Sequence, residues 1–195
     1  MALFTKNELI KVSIKKSLYE TADSILKKAS LEFSEDKIYD IFISHSYLDA
    51  DEILQLKTII ENMGFTTYVD WIEDGQLDRV KVDKETAEIL RKRMDCCKSL
   101  FFVTSENSSS SKWMPWELGY FDALKGRVAI LPILQSSEST DEYRGQEYLG
   151  LYPYVTKDRI QDSDKITLWV NENTDIHVSF EDWLEGKKPC KHYKH

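Results

Sequence analysis

Residues 39–46 have the sequence YDIFISHS, and Ile38 precedes them. This short apolar run, which ends in polar residues, is typical of a strand buried on both faces of a parallel sheet. Helix-like and strand-like segments alternate after it. We predict helices over residues 49–63, 83–96 and 111–125, and strands over residues 38–44, 65–71, 100–104 and 128–134. Three strand–helix units in succession predict an α/β fold, with an open parallel sheet, right-handed crossovers and helices on both faces.

The two ends of the chain give weaker signals. Residues 6–34 show apolar positions at roughly helical spacing with lysines between them, so they are either a helix docked on the domain or an amphipathic arm for a partner or membrane surface. Edge strands are expected at residues 152–155 and 166–170, followed by a short helix at 180–184. The predicted organisation is therefore a helical extension (1–36), one α/β domain (37–186) and a flexible tail (187–195).

Composition excludes several classes of protein. The chain has 195 residues, 42% of them hydrophobic and 31% charged, as expected for one globular domain. Its formal net charge of −8 argues against nonspecific nucleic-acid binding as the main role. The three cysteines, at 96, 97 and 190, fit neither a disulfide framework nor a zinc site, so we expect reduced thiols, a cytoplasmic location and no metal. The N-terminus lacks a signal peptide, and no apolar run approaches the roughly 18 residues of a membrane span.

Three polar loops follow the predicted parallel strands. They are residues 44–46, 71–79 and 105–117. Because ligands of open parallel sheets bind beyond the carboxyl ends of the strands, these loops are expected to converge on one binding rim.

The third loop carries the most informative residues. Residues 108–121 read SSSSKWMPWELGYF, a serine cluster followed by an apolar segment with Pro115 in the first turn of a helix. Trp113 and Glu117, four residues apart, share one helix face, where an indole plane and a carboxylate suit a flat, cationic ligand. Glu117 could also be an ordinary acid near a helix start, and both tryptophans could be core residues. We expect Trp116 to pack in the core and Trp113 to line the cleft.

Other rim residues have two possible roles. Ser44 and Ser46 could bind ribose or phosphate, or cap the strand end, whereas His45 is expected to be structural because no nucleophile is near it. Basic residues after the second loop could neutralise a pyrophosphate or simply be solvated: Arg79, Lys81 and Lys84. Trp71 could stack on adenine or pack. The substrate-binding candidates are Trp113, Ser44, Ser46, Tyr47, Trp71 and Arg79.

Residues 38–155 resemble the Toll/interleukin-1 receptor (TIR) domain family. The YDIFISHS segment with Asp49 is similar to the opening motif of that family, and Trp113-Met114-Pro115-Trp116-Glu117 fits the Trp-x-x-x-Glu pattern of its enzymatic, especially bacterial, members. The resemblance implies a flavodoxin-like fold and cleavage of NAD+ at the nicotinamide–ribose bond, to ADP-ribose or a cyclic isomer. It also implies that Glu117 is catalytic, with Trp113 as its aromatic partner.

The same resemblance identifies residues 71–79 as the counterpart of the BB loop, which helps to order self-assembly and borders the nucleotide site. Two departures concern nucleotide contacts. Ser46-Tyr47 stands where some enzymatic relatives carry a basic residue, and the loop lacks the proline common in receptor-type members.

This chemistry can be carried by a single carboxylate. Nicotinamide leaves NAD+ as a neutral amide, so no general acid is needed, unlike ordinary glycosidases, which use two carboxylates. Glu117 would hydrogen-bond the ribose hydroxyls and stabilise the oxocarbenium-like transition state. Trp113 could pack against the pyridinium, which contributes about 0.5–2 kcal/mol. NAD+ is then the substrate, and no cofactor is expected.

Three functions remain open from the sequence. The first is an NAD+ glycohydrolase or ADP-ribosyl cyclase of a Thoeris-like antiphage system, which signals to a separate effector through its nucleotide product. The second is a non-catalytic adaptor that assembles through homotypic TIR contacts, since fold does not settle function. The third is an enzyme similar to nucleoside deoxyribosyltransferases, which also break N-glycosidic bonds.

Overall fold

The computed structural model describes residues 1–17, 37–70, 83–135, 140, 142–145, 147–161 and 163–191. The strands within these ranges are β1 (Phe4–Thr5), β2 (Tyr39–Ser44), β3 (Thr67–Tyr68), β4 (Cys97–Thr104), β5 (Val128–Leu134), β6 (Tyr154–Arg159), β7 (Ile166–Asn173), β8 (Ile176–Ser179) and β9 (Cys190–Lys191). The α-helices are α1 (Lys6–Ser17), α2 (Ala50–Asn62), α3 (Lys84–Asp95), α4 (Trp113–Lys125) and α5 (Phe180–Leu184).

The described strands form one sheet whose first half is parallel. Its order is β3-β2-β4-β5-β6-β7-β8-β9, with β1 added alongside β5. Strands β2 to β5 pair in parallel, and β5 also pairs in parallel with β6. The remaining strands, β6 to β9, pair antiparallel. The predicted α/β class with a mostly parallel, flavodoxin-like sheet is confirmed.

Strand β2 is buried on both faces, as its apolar sequence predicts. Ile41 and Ile43 belong to the core cluster on one face, and Phe42, which lies between them, belongs to the cluster on the other. The alternation follows from the two-residue repeat of a strand. Consequently, Ser44, the last residue of β2, lies on the same face as Phe42 and projects toward α4.

The helices around the sheet begin and end at recognisable signals. The carboxylate of Asp83 accepts a hydrogen bond from the backbone N–H of Thr86 at 2.8 Å and caps α3. Gly64, after α2, has φ of 100°, and Gly126, after α4, has φ of 61°. Both lie in the left-handed region that favours glycine, so each helix ends where the sequence predicts.

The N-terminal residues are part of the sheet. Phe4 and Thr5 pair with Ile133 and Leu134 of β5, while Ala2 bridges Lys157 of β6. The segment therefore lies between β5 and β6, where those two strands diverge. The predicted helix at 6–34 is present as α1 over 6–17; the rest of that prediction, and the predicted boundary at residue 36, fall in 18–36, outside the described residues.

The C-terminal third differs from its prediction in three respects. The strands expected at the edge, β6 and β7, lie inside the sheet, because β8 and β9 add beyond them. Strand β8 was not predicted, since its four residues are too short for a clear alternation. Cys190 and Lys191, expected in a flexible tail, pair with His177 and Ile176 of β8. The helix expected at 180–184 is confirmed as α5.

None of the helices in the described ranges is long and apolar enough to cross a membrane.

Candidate functional site

A buried serine–carboxylate pair lies at the carboxyl end of β2. The hydroxyl of Ser44 donates a hydrogen bond to Oε2 of Glu117 at 2.6 Å, and both residues are 0% exposed. Ser44 ends β2, while Glu117 lies in the second turn of α4, 73 positions away in the sequence. This distance is typical of a charge-assisted O–H···O⁻ bond. The two residues meet at the rim predicted from strand order.

The helix that carries Glu117 begins at Trp113, slightly later than the serine cluster suggested. The side chain of Ser111 accepts a hydrogen bond from the N–H of Met114 at 3.3 Å, and Pro115 lies in the first turn. Proline is favoured there because the first N–H groups of a helix have no intrahelical partner. The serine cluster and the proline together set the start of α4 and thus the position of Glu117.

The two tryptophans of α4 differ from their expected burial. Trp113, expected to line an open cleft, is 7% exposed and belongs to the core cluster beneath α4. Trp116, expected in the core, is half-buried and stacks on Tyr120 with 5.7 Å between ring centroids. The guanidinium of Arg91 lies 5.3 Å from its ring. Trp113 is buried because it lies four residues before Glu117 and therefore on the same face of α4, which is turned toward the sheet.

A buried histidine follows Ser44. Nδ1 of His45 lies 3.0 Å from the carbonyl oxygen of Ile43, so it carries the proton and donates. Nε2 faces Oδ1 of Asp70 at 3.9 Å, and the two side chains are 0% and 2% exposed. His45 therefore joins the ends of β2 and β3, which agrees with the expected structural role. Asp70 was not singled out in the sequence.

The other candidate binding residues differ in their exposure to solvent. Ser46 is buried, and its hydroxyl accepts from the N–H of Leu48 at 3.4 Å, which is the capping alternative. Tyr47 is 69% exposed on the rim. Lys84 is exposed at the start of α3, as expected of a solvated cation. The predictions for Trp71, Arg79 and Lys81, and for the loop 71–79, fall outside the described residues.

A second buried carboxylate connects two of the rim loops. Oδ2 of Asp49 accepts from the hydroxyl of Ser105 at 2.5 Å, and Oδ1 accepts from Nδ2 of Asn107 at 2.7 Å. The N–H of Asn107 also donates to the Ser105 hydroxyl, at 3.1 Å. We call these three residues the Asp49 network. Sequence reasoning identified Asp49 as part of the TIR-like opening motif at the start of a helix, but it did not predict these partners.

A cavity of about 600 Å³ lies beside the start of α4. Its lining includes the serines Ser108 and Ser111 together with Tyr148 and Arg144. Tyr143 also lines it, and partial burial raises the pKa of its phenol, with a hydrogen bond to Thr104 acting in the opposite direction. The volume falls within the roughly 300–1,000 Å³ of ligand sites. Hydroxyls, aromatic rings and a cation are the groups that bind riboses, bases and phosphates.

Fold and site together define a class of protein. A parallel sheet in this strand order, with a carboxylate from the Trp-x-x-x-Glu helix buried at the end of the first parallel strand, is the arrangement that the TIR resemblance predicts. The similarity of the chain to two known proteins, described next, agrees with this arrangement. The chain belongs to the TIR domain family.

Two relatives are informative. Over 192 residues, 95% of this chain and 99% of that protein, the chain is 55% identical to a protein of Bacillus cereus (strain MSX-D12) named "Probable 3' cyclic ADP-D-ribose synthase ThsB'". Over 99 residues it is 34% identical to the "Putative cyclic ADP-D-ribose synthase TIR2" of Cytobacillus dafuensis. This matched segment covers 50% of this chain and 26% of that protein. No protein-family model matches the chain.

Proposed function

We propose that this protein cleaves NAD+ at the nicotinamide–ribose bond and makes a cyclic ADP-ribose isomer as a signal in antiphage defence. The observation that carries the proposal is the buried Ser44–Glu117 hydrogen bond at the carboxyl edge of the parallel sheet. The names of both relatives, each a cyclic ADP-D-ribose synthase, support the product class.

The chemistry begins with heterolysis of the bond between ribose C1′ and the pyridinium nitrogen. The bonding electron pair goes to that nitrogen, so nicotinamide leaves neutral and the positive charge passes to the ribose as an oxocarbenium ion. The Glu117 carboxylate stabilises that charge in a site from which water is largely excluded, where electrostatic stabilisation is strong. Ser44 holds the carboxylate in place through its hydroxyl.

The second step decides between a cyclic and a linear product. A hydroxyl of the ADP-ribosyl group itself attacks C1′, a new glycosidic bond forms, and Glu117 accepts the proton released by that hydroxyl. Water attacking at the same carbon would give linear ADP-ribose. The names of both relatives support the cyclic product, since each is called a cyclic ADP-D-ribose synthase.

The remaining site assignments complete the proposal. Trp113 and Tyr47 contact the nicotinamide riboside, and Ser46, Trp71 and Arg79 contact the rest of the dinucleotide, with NAD+ as substrate and no cofactor. Because Trp113 is only 7% exposed, its ring must move slightly when the substrate enters. Among the described residues, none of those assigned here lines the cavity beside α4, so the assignment rests on the family resemblance rather than on that cavity.

The proposed partners follow from this role. The protein associates with further copies of itself through its TIR surfaces, and it reaches a separate effector through its nucleotide product rather than by direct contact.

Product analysis tests the proposal. Concentrated protein is incubated with NAD+ under crowding, and nicotinamide, ADP-ribose and cyclic isomers are separated by chromatography. We expect the wild type to release nicotinamide with a cyclic isomer as its partner product. Glu117→Gln should release less nicotinamide by a factor on the order of 10³, as expected when a main electrostatic contact to the transition state is removed.

Glu61→Gln is the matched control. Glu61 is also a helical glutamate that accepts hydrogen bonds, from Lys57 and Thr67, but it lies at the C-terminal end of α2 beside the start of β3. Its variant should keep wild-type turnover. Wild-type protein that assembles yet releases no nicotinamide would reject the enzymatic proposal in favour of an adaptor.

A further inference from the structure

We propose that Asp49 is a positioning residue that fixes the Ser44–Glu117 pair, by tying the loop after β2 to the loop that leads into α4. The inference deepens the proposed function, on which its catalytic part rests. Asp49 follows Ser44 by five residues and immediately precedes the first residue of α2.

The carboxylate of Asp49 is not used for the task that its position suggests. An aspartate at this position commonly accepts hydrogen bonds from the first N–H groups of its own helix. Asp49 makes no such side-chain bond to α2. Both of its oxygens instead accept hydrogen bonds from Ser105 and Asn107, which belong to the loop after β4.

Burial makes these two hydrogen bonds consequential. Asp49 is 1% exposed, and a buried carboxylate without donors is strongly unfavourable. The network therefore holds the backbone at residues 105–107 in one conformation. The N–H and the hydroxyl of Ser108 extend this order by donating to the carbonyl oxygen of Ser105 at 3.4 and 2.9 Å.

The loop held in this way sets the location of the reacting carboxylate. Only residues 105–112 separate β4 from α4, the helix that carries Glu117. On the other side, the N–H of Asp49 donates to the carbonyl oxygen of Ser46 at 3.0 Å, which fixes the turn after Ser44. Asp49 thus restrains both segments whose side chains meet in the Ser44–Glu117 hydrogen bond.

Lys6 makes a second contact between α2 and the loop that leads into α4. Nζ of Lys6, in α1, lies 3.5 Å from Glu52 of α2 and 3.9 Å from Glu106 of the loop. Lys6 is 23% exposed and Glu106 is 66% exposed, so this contact is partly screened by solvent. The buried Asp49 network is accordingly the contact whose removal should matter.

A swap of the two partners tests the proposal. The variants are Asp49→Asn, Asn107→Asp and the double variant D49N/N107D, with Asp51→Asn as a control for the loss of one negative charge at the exposed start of α2. Asn107→Asp places two carboxylates in contact, whereas the double variant restores one amide donor and one carboxylate acceptor.

We expect the kcat of Asn107→Asp to fall by at least about tenfold, which corresponds to the loss of one strong buried hydrogen bond. KM should change little, because Asp49 and its partners act through Glu117 rather than on the substrate. The double variant should recover most of the lost turnover, and Asp51→Asn should match the wild type. Asn107→Asp and Asp49→Asn that both keep wild-type kcat would overturn the proposal.

Hydrogen exchange gives a readout that does not depend on activity. In Asn107→Asp, amides in residues 105–117 should exchange faster, while amides of the β7–β8 hairpin keep their protection. Unchanged exchange in residues 105–117 would overturn the positioning role even if no substrate were turned over. Wild type that releases no nicotinamide, with the expected exchange pattern, would reject the proposed function and leave the positioning role supported.

Discussion

At the scale of single residues, the Ser44 hydroxyl has one strong partner in Glu117. The bond is short, and both groups are withdrawn from water. A buried carboxylate of this kind depends on its donors, so the serine helps to hold Glu117 in one orientation in the second turn of α4.

Ser44→Ala should lower kcat by about ten- to a hundredfold, since a hydrogen bond to a charged group contributes about 1.5–3 kcal/mol. Steady-state nicotinamide release measures the effect. Ser99→Ala is the matched control, because Ser99 is also a fully buried strand serine, whose hydroxyl donates to the carbonyl oxygen of Asp40 at 2.7 Å. Both variants should lose similar stability. Equal loss of turnover in both would contradict a specific role for Ser44.

Sequence reasoning reached part of this residue-level detail. Ser44 and Glu117 could be assigned to one rim because parallel strands present their carboxyl ends on the same edge. The Asp49 network could not be predicted in the same way. Whether an aspartate caps its own helix or reaches a neighbouring loop depends on the distance between the two loops, which only the packed sheet determines.

At the scale of secondary-structure elements, Asp40 connects β2 to both neighbouring strands. Its carboxylate accepts from the N–H of Thr66 at 2.8 Å, from the Thr66 hydroxyl at 2.9 Å and from Nζ of Lys98 at 2.8 Å. Partial burial acts to raise the pKa of Asp40, but these donors and the charge of Lys98 outweigh it and lower the pKa below the ordinary 3.8.

Asp40→Asn should therefore destabilise the protein in a pH-dependent manner. A lowered native pKa means that the ionised form contributes stability in full above 3.8, and that this contribution is lost as the pH falls through the native value. At pH 7 we expect a loss of about 1–2 kcal/mol, or a few degrees in Tm. The gap from wild type should narrow toward pH 3. Thermal unfolding against pH measures it.

Asp175→Asn removes the same charge at an exposed turn and should have no such pH-dependent effect. A gap between Asp40→Asn and wild type that is constant from pH 7 to pH 3 would contradict the ionic contribution of Asp40.

Element prediction worked best where local signals were strong. The predicted bounds of β5 and α5 match the structure, because β5 is a continuous apolar run and α5 begins at a capping serine, Ser179, and ends shortly before Gly186. Strand β3 was predicted over 65–71 but spans only Thr67 and Tyr68 among the described residues. Pairing with β2 alone limits its length, and this depends on tertiary contacts rather than on its apolar sequence.

At the scale of the whole molecule, the N-terminus completes the core. Leu3, Phe4 and Leu9 are each no more than 1% exposed. They extend the hydrophobic clusters on both faces of the sheet, while β1 fills the gap between β5 and β6. A two-residue strand gives no periodic signal, so the sequence indicated only the helix that follows it.

Phe4→Ala should destabilise the protein by about 3–5 kcal/mol, because it leaves a cavity where a fully buried ring packs below Nζ of Lys157. Thermal unfolding should show a Tm lower by roughly 10 °C. Ile10→Ala, in the same segment but at a side chain 53% exposed, should change stability by no more than about 0.5 kcal/mol. Equal Tm values for the two variants would contradict the insertion of β1 into the sheet.

The N-terminal segment contributes to the core as well as to any assembly surface. We predict that residues 1–36 cap an assembly surface. Deleting them would remove Leu3, Phe4 and Leu9 from the core, so a truncated chain would report on folding before assembly. Exposed-residue variants such as Ile10→Ala, followed by measurement of oligomer size, test the cap without disturbing the sheet.

The central claim is that Glu117 acts on the transition state rather than on the folded state or the ground-state complex. The most direct measurement is the Kd of Glu117→Gln for NAD+, determined together with its rate of nicotinamide release in a single turnover. The account predicts a Kd within about tenfold of wild type and a cleavage rate lower on the order of 10³-fold. A variant that binds NAD+ normally and still cleaves it at the wild-type rate would contradict the account.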